Sequence, residues 1–325
     1  MLSTATIFAV NEHPRCMRAI QIKQYGDNSV LEAVEIAVPS PMPGQVLVRL
    51  KASSVNPVDH KIRSGYLSGG LPKSFPFTLG WEGAGLITEL GEGVQGFQVH
   101  DEVMLMPNFM QGGTYAEFVA VNADEVMPKP KSVPFTDASV VPFSLGTAYT
   151  ALVEEARIKA GQRLLIHGAG GAVGQMAVQI AKHVGLHVIG TAKGEALREI
   201  KALGIDQTID YESTDFSTVA TNMDVVLDLV GGATLAKSYA LVNKGGVVIS
   251  TAQPPDSAEL KSHGINGKMI QTRYSPERFA EPLQWLEAGR IKVKPPQVIS
   301  LSEAKEALAL VEGRKATAKM VIEFR

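Results

Sequence analysis

Cysteine is almost missing from this chain: Cys16 is the only one in 325 residues, which excludes an intramolecular disulfide and fits a reducing compartment. No stretch approaches the ~20 consecutive apolar residues that a membrane-spanning helix needs. An excess of charge is missing as well. With 31 basic and 33 acidic residues the net charge is -2, so neither nucleic acid nor an anionic membrane is an implied partner. The short apolar run at residues 7–10 has no basic segment before it and is followed by Asn11 and Glu12, unlike a secretory signal, and a cytoplasmic protein is expected. Metal-ligating patterns are sparse. Of seven histidines only His183 and His187 stand four apart, across the end of an expected helix, so no metal site is expected.

What is present is ordinary globular usage, 45% hydrophobic and 20% charged, in a chain long enough for two domains with separate cores. Residues 17–127 read as short strands broken by proline and glycine turns (VLVRLKASSV, GAGLITEL, DEVMLM, YAEFVAV), a β-rich unit. After Pro142 the period changes. Strands expected at 162–166, 188–191, 225–229 and 247–251 alternate with helices at 173–184 and 195–203, the pattern of a parallel sheet covered by helices. The tail returns to mixed structure, with helices at 276–287 and 302–311 and a closing strand at 319–324.

The most informative stretch is LLIHGAGGAVGQMAVQIAKHVGLHVIGTA, residues 164–192: apolar strand, glycine turn, helix, second apolar strand. This is half of a dinucleotide-binding unit, in which Gly171 and Gly174 let backbone approach a pyrophosphate and free amides at the helix start face the anion. Ala169 stands at the usual first glycine, flanked by Gly168 and Gly170, so the turn stays permissive. A carboxylate that would bind a ribose 2′-hydroxyl belongs at the end of the second strand. Thr191, Ala192, Lys193 and Gly194 stand there instead, with Arg198 beyond. A 2′-phosphate therefore fits better and the expected cofactor is NADP(H), the alternative being that Lys193 and Arg198 only solvate a helix start.

With these segments, KASSVNPVDHKIRSG, FTLGWEGAGLITELGEGV, GGTYAEFVAV, FSLGTAYTAL and LSEAKEALALVEGRKATAKMVIEF, the chain resembles the medium-chain dehydrogenase/reductase superfamily, and within it the zinc-independent quinone oxidoreductases related to zeta-crystallin. The resemblance implies an α/β fold, a Rossmann-type doubly wound parallel sheet domain at 143–275 plus a β-rich GroES-like catalytic domain at 1–142 and 276–325. It also implies a homodimer, with the strand near 246–251 as the pairing edge. Zinc-dependent relatives place ligands where this chain has Asn56, Trp81 and Val141, none of which binds zinc well. Without a metal, hydride transfer suits conjugated acceptors, in which charge spreads onto a carbonyl oxygen.

By the same resemblance Asn56 lines the nicotinamide and substrate cavity and donates to a quinone or enone oxygen, unless it only forms an Asx turn before Pro57. Asp59 orients its neighbours, and Tyr66, beside Leu67, is a substrate contact. Cofactor contacts are implied for Thr147, Gly170, Gly171, Ala172, Val173, Gly174, Thr191, Lys193, Tyr211, Val230, Gly231 and Lys319. Thr147 has the alternative of a helix-start hydroxyl, and Lys319 that of a surface lysine. The loops expected at 65–77 and 254–274 have no readable template and are expected to shape the pocket. Three classes stay open: an NADPH-dependent quinone or enone reductase, an enoyl-thioester reductase with Lys61, Arg63 and Lys73 as a basic rim, and a non-catalytic crystallin-like or RNA-binding protein.

Overall fold

The computed structural model describes residues 16–66, 74–108, 113–272 and 276–325. Its first part is β-rich. Strands β1 (Cys16–Ile22) and β2 (Leu31–Ala37) form an antiparallel hairpin. Next come β3 (Gln45–Ser54), helix α1 (Pro57–Arg63), β4 (Phe77–Thr78), β5 (Gly83–Leu90), β6 (Glu102–Leu105), β7 (Phe118–Asn122) and β8 (Val126–Pro128). Helices α2 (Phe135–Ala138) and α3 (Val141–Tyr149) lead out of this part, and α3 runs on into a π-helical turn, Thr150–Glu155.

The second part alternates: β9 (Arg163–His167), α4 (Ala172–Val184), β10 (His187–Ala192), α5 (Glu195–Ala202), β11 (Gln207–Asp210), β12 (Met223–Asp228), α6 (Gly232–Ser238), β13 (Val242–Ser250), α7 (Ser257–His263) and β14 (Asn266–Met269). Helix α8 (Pro276–Glu287), β15 (Gln297–Ile299), α9 (Ala304–Glu312) and β16 (Met320–Glu323) close the described chain. The two tail strands return to the first sheet, which runs β15-β16-β3-β5-β6-β8 with β7 paired to β3.

The six strands of the second sheet run β11-β10-β9-β12-β13-β14, all parallel. Alternation inside the strands explains their burial on both faces. Leu164 and Ile166 of β9 and Val225 and Leu227 of β12 enter the core under α3 and α4, while Leu165 and Val226 enter the core under α6. The core under α4 also takes Ala84, Met104 and Met127 from the first sheet and Phe279, Trp285 and Leu286 from α8, so the sheets share a packed layer. Strand order reverses between β9 and β12, and in open parallel sheets the crevice beyond the strand ends at such a point is where ligands bind.

Two expectations fail. The strand at 246–251 is no edge: it belongs to β13, which pairs with β12 on one side and β14 on the other. The edge is β14, whose sequence NGKM is mostly exposed and has no apolar alternation to betray a strand. Residues 254–272 are likewise not a loop, since they contain α7 and β14. Of the other segment expected to shape the pocket, residues 67–73 lie outside the described residues.

Candidate active site

At the end of β9 the chain turns through Gly168, whose φ of +75° suits glycine, and enters α4 with Gly171 as N-cap. The glycines here have different reasons to be glycine. A Cβ on Gly174 would sit 2.3 Å from the Gly168 carbonyl and 2.6 Å from Ala169 Cα, so helix and turn could not pack. A Cβ on Gly170 would meet Ala196 Cβ at 2.6 Å. Gly171 is different: its φ is -76° and a Cβ would meet only the Gly168 carbonyl, at 3.5 Å. Nothing inside the protein requires glycine there. No side chain caps α4 and no acidic residue lies in its first turn, so the amides around Ala172 and Val173 remain available to an anion.

Thr191 supports this turn from β10. Its backbone carbonyl accepts from Ala169 N at 3.0 Å and its hydroxyl from Gly168 N at 3.3 Å. Buried His167 lies beside it, with Nε2 2.9 Å from Ser238 Oγ, and burial pushes the imidazole down to about 4, leaving it neutral. On the next strand Asp228 accepts from the amides of Val230 (3.1 Å) and Gly231 (2.9 Å) and from Ser250 Oγ (2.7 Å), which fixes a turn in which Gly231 has φ +80°. Val230 is left partly exposed at the strand ends.

Lys193 and Tyr211 emerge together from β10 and β11. The Lys193 ammonium is 3.0 Å from Glu212 Oε1, and Tyr211 is 49% exposed. Arg198 is exposed on α5. Thr147 is in the middle of α3, not at a helix start: its hydroxyl donates to the Phe143 carbonyl at 2.5 Å and also bonds Thr272 Oγ1.

A second centre lies where β3, β5, α1, α3 and β16 converge. Asn56 precedes α1, and its side-chain amide turns inward, Nδ2 donating to Ser54 Oγ at 3.0 Å and to Glu82 Oε1 at 3.1 Å. Its Oδ1 accepts from Lys319 Nζ, and Ser54 Oγ donates to Glu82 Oε1. Both hydrogens of the Asn56 amide are therefore engaged, and donation to a substrate oxygen requires one of those bonds to be exchanged. Glu82 is wholly buried, its Oε2 accepting from Phe143 N at 2.8 Å and its backbone carbonyl from Thr114 Oγ1 at 2.9 Å. Asp59 Oδ2 accepts from Asn56 N and from the Tyr115 hydroxyl, both at 2.7 Å, and Oδ1 has no partner among the described residues. Burial pushes the Asp59 carboxyl up to about 7, the Tyr115 phenol well above its ordinary range and the Lys319 ammonium below its own.

Lys319 is therefore no surface lysine: its side chain is 14% exposed and 3.5 Å from Glu82. Tyr66, by contrast, is 77% exposed just beyond α1, next to residues outside the described set. Arg63, expected on a basic rim, is buried and forked onto both Glu312 carboxylate oxygens at 3.0 Å, with Asn28 Oδ1 at 2.9 Å. Nη2 makes both contacts to Glu312 and ties α1 to α9, Nη1 donates to Asn28 and Nε to the Gly26 carbonyl at 3.2 Å, so each guanidinium nitrogen is already engaged within the protein. Lys61 is half-buried and Lys73 lies outside the described residues.

Two family models match, the alcohol dehydrogenase GroES-like domain over residues 42–131 and the zinc-binding dehydrogenase over residues 203–322. A 2-methylene-furan-3-one reductase of Solanum lycopersicum is 32% identical over 95% of this chain and 79% of its own length. The chloroplast envelope quinone oxidoreductase homolog of Arabidopsis thaliana is 29% identical over 95% of this chain and 99% of its own. A solved quinone oxidoreductase from Coxiella burnetii superposes with a TM-score of 0.89 at 30% identity, over 95% of this chain and all of the other. The chain belongs to the quinone oxidoreductase-like family of the medium-chain dehydrogenase/reductases. It is an oxidoreductase with a Rossmann-type sheet and a GroES-like domain, and the family binds a nicotinamide cofactor.

One of the matched family models, over residues 203–322, describes zinc-binding dehydrogenases, yet the three residues that the resemblance places at ligand positions, Asn56, Trp81 and Val141, do not fit the ion. The Asn56 oxygen faces an ammonium, Trp81 is packed in the apolar core of the first sheet, and Val141 is a buried hydrocarbon. Among the described residues no three His, Cys, Asp or Glu side chains gather as a metal-holding group. His183 is exposed beside Trp285, and His187 Nδ1 is 3.9 Å from Asp206. The turn residues, by contrast, fit a dinucleotide, because Gly171 leaves open space over uncapped amides. Reading the sequence missed Glu82, Ser54, Tyr115 and His167. A carboxylate inside the apolar run FTLGWEGAGLI was the one available signal for Glu82, since an unpaired charge cannot be buried there.

Proposed function

We propose that the chain is an NADPH-dependent reductase that delivers a hydride to a quinone or an α,β-unsaturated carbonyl without zinc. The observation that supports this reading is the hydrogen-bonded group of Asn56, Lys319 and Glu82, in which Asn56, at one of the three positions that the resemblance assigns to zinc ligands, is held by an ammonium and a buried carboxylate. Bound reduced nicotinamide supplies the hydride. The amides around Gly170, Gly171, Ala172, Val173 and Gly174 hold the pyrophosphate, with Thr191 bracing the turn beneath them. Lys193 faces the 2′-phosphate, Tyr211 packs beside the adenosine, Val230 and Gly231 line the nicotinamide ribose, and Thr147 meets the carboxamide.

Asn56 donates to the acceptor oxygen as charge builds on it, exchanging its bond to Ser54 or Glu82, while Lys319 holds the other end of the amide in place. Asp59 keeps Asn56 at the start of α1, and Tyr66 contacts the acceptor from the rim. Conjugated acceptors suit such a site because a hydrogen bond suffices for a delocalised negative charge. In this reading the catalytic domain comprises residues 1–142 and 276–325, the cofactor domain residues 143–275, and the enzyme is a cytoplasmic homodimer.

The test is a screen of NADPH and NADH oxidation against a quinone, an enone, an acyl-CoA thioester and a simple ketone, with metal content measured on the same preparation. Turnover is expected with NADPH and the first two acceptors, unaffected by a chelator. Stoichiometric zinc, with activity lost on chelation and restored by zinc, overturns the metal-free mechanism.

A further inference from the structure

The corner of the site beyond β10 and β11 holds a carboxylate as well as a cation. Ala192 and Asp210 end their strands as register partners, and Tyr211 N donates to the Ala192 carbonyl at 3.2 Å, so Lys193 and the segment after Asp210 leave the sheet side by side. Asp210 then sets the direction of the next residue. Its Oδ1 accepts from Glu212 N at 3.0 Å, and its backbone carbonyl accepts from Ser213 N at 3.3 Å and Thr214 N at 2.9 Å. This turn points Glu212 back at Lys193, and the two close an ion pair of 3.0 Å with side chains 53% (Lys193) and 60% (Glu212) exposed. The positive charge that would select a 2′-phosphate is thus already neutralised within the protein.

We propose that Glu212 tempers cofactor selectivity: its carboxylate pairs with Lys193 in the free enzyme, and the 2′-phosphate of NADPH must displace it. The inference rests on the NADPH reading above. A phosphate monoester carries about -1.5 to -2 charge at neutral pH and outcompetes one carboxylate for a lysine, so binding still occurs, against the pair and against repulsion from the released Glu212. NADH has no 2′-phosphate to make the exchange, so its binding leaves the pair closed. Glu212 therefore narrows the gap between the two cofactors.

The experiment is a set of equilibrium titrations, read as the fluorescence of the bound reduced nicotinamide. Wild type, Glu212→Gln, Lys193→Ala and the double variant are each titrated with NADPH and with NADH, and circular dichroism checks that each folds. Glu212→Gln is expected to tighten NADPH about three- to fivefold, the scale of a lost surface pair, and to change NADH less than about twofold. Salt should weaken NADPH binding more steeply in this variant, because its lysine is unpaired in the free enzyme. In the Lys193→Ala background the gain should shrink to about half or less. Unchanged NADPH affinity in Glu212→Gln, or an equal gain with and without Lys193, overturns the inference. If Lys193→Ala instead weakens NADPH and NADH equally, the NADPH reading itself fails, which is a separate result.

Discussion

Lys319 and Glu82 face each other 3.5 Å apart, the carboxylate wholly buried and the ammonium nearly so, at the point where the last strand passes the start of α1. Removing one member of such a pair strands the other's charge away from water, and that cost exceeds what the intact pair contributes. Lys319→Met is therefore expected to lower the unfolding free energy by about 3 kcal/mol or more. The double variant Lys319→Met with Glu82→Gln should recover a substantial part of the loss. Urea unfolding of the four proteins checks this, and additive losses would mean that the two charges are not coupled.

Asp59 gives a pH signature. Its carboxyl ordinarily titrates near 3.8 and burial raises it to about 7, so between those values the folded chain holds a proton that the unfolded chain has released. The stabilising contribution of this group is full below about pH 4 and declines as pH rises towards 7. Asp59→Asn removes the titration, so its stability relative to wild type should grow by on the order of a few kcal/mol between pH 4 and pH 8. Parallel stability curves for the two proteins would show that Asp59 is ionised in the fold throughout.

The glycine turn separates packing from binding. Gly174→Ala puts a methyl group 2.3 Å from a carbonyl oxygen and should cost about 1 to 3 kcal/mol of stability. Gly171→Ala meets nothing closer than 3.5 Å and should leave the melting temperature within a degree or two, while weakening NADPH at least about tenfold. Thermal melts and cofactor titrations on the same samples decide. Retained affinity in a normally folded Gly171→Ala would remove the close approach of pyrophosphate at this residue.

Asn56→Ala should lower kcat/KM for a quinone or enone by about tenfold to a thousandfold and leave NADPH affinity within about twofold. It also takes partners from Ser54, Glu82 and Lys319, so stability will fall and turnover must be counted per folded molecule. Wild-type turnover per folded molecule would assign Asn56 to the packing of this centre alone.

The parallel sheet was legible because its central strands are buried on both faces, so β9 and α4 follow directly from 164–192. Short elements were not. β11 has four residues and β14 has four mostly exposed ones, so neither contains enough apolar alternation to separate it from a turn. In the candidate site, the glycine turn before α4 and the place of Lys193 just after β10 were readable because each is set by its neighbours in the chain. The cluster around Glu82 was not, since Ser54, Asn56, Glu82, Phe143 and Lys319 come from five elements and meet only when β16 pairs with β3. Arg63 looked like a surface cation because its partner Glu312 lies far along the chain.

Glu82 reaches from the first sheet to the backbone of α3, its Oε2 taking the Phe143 amide at 2.8 Å. A hydrogen bond from a backbone amide to a buried carboxylate is costly to leave unmade. Together with the apolar layer that Ala84, Met104 and Met127 share with α3 and α4, this contact joins the first sheet to the helices of the second. Asn56 and Lys319, which bond to the same carboxylate group, are therefore anchored at the seam of the molecule rather than on either half alone.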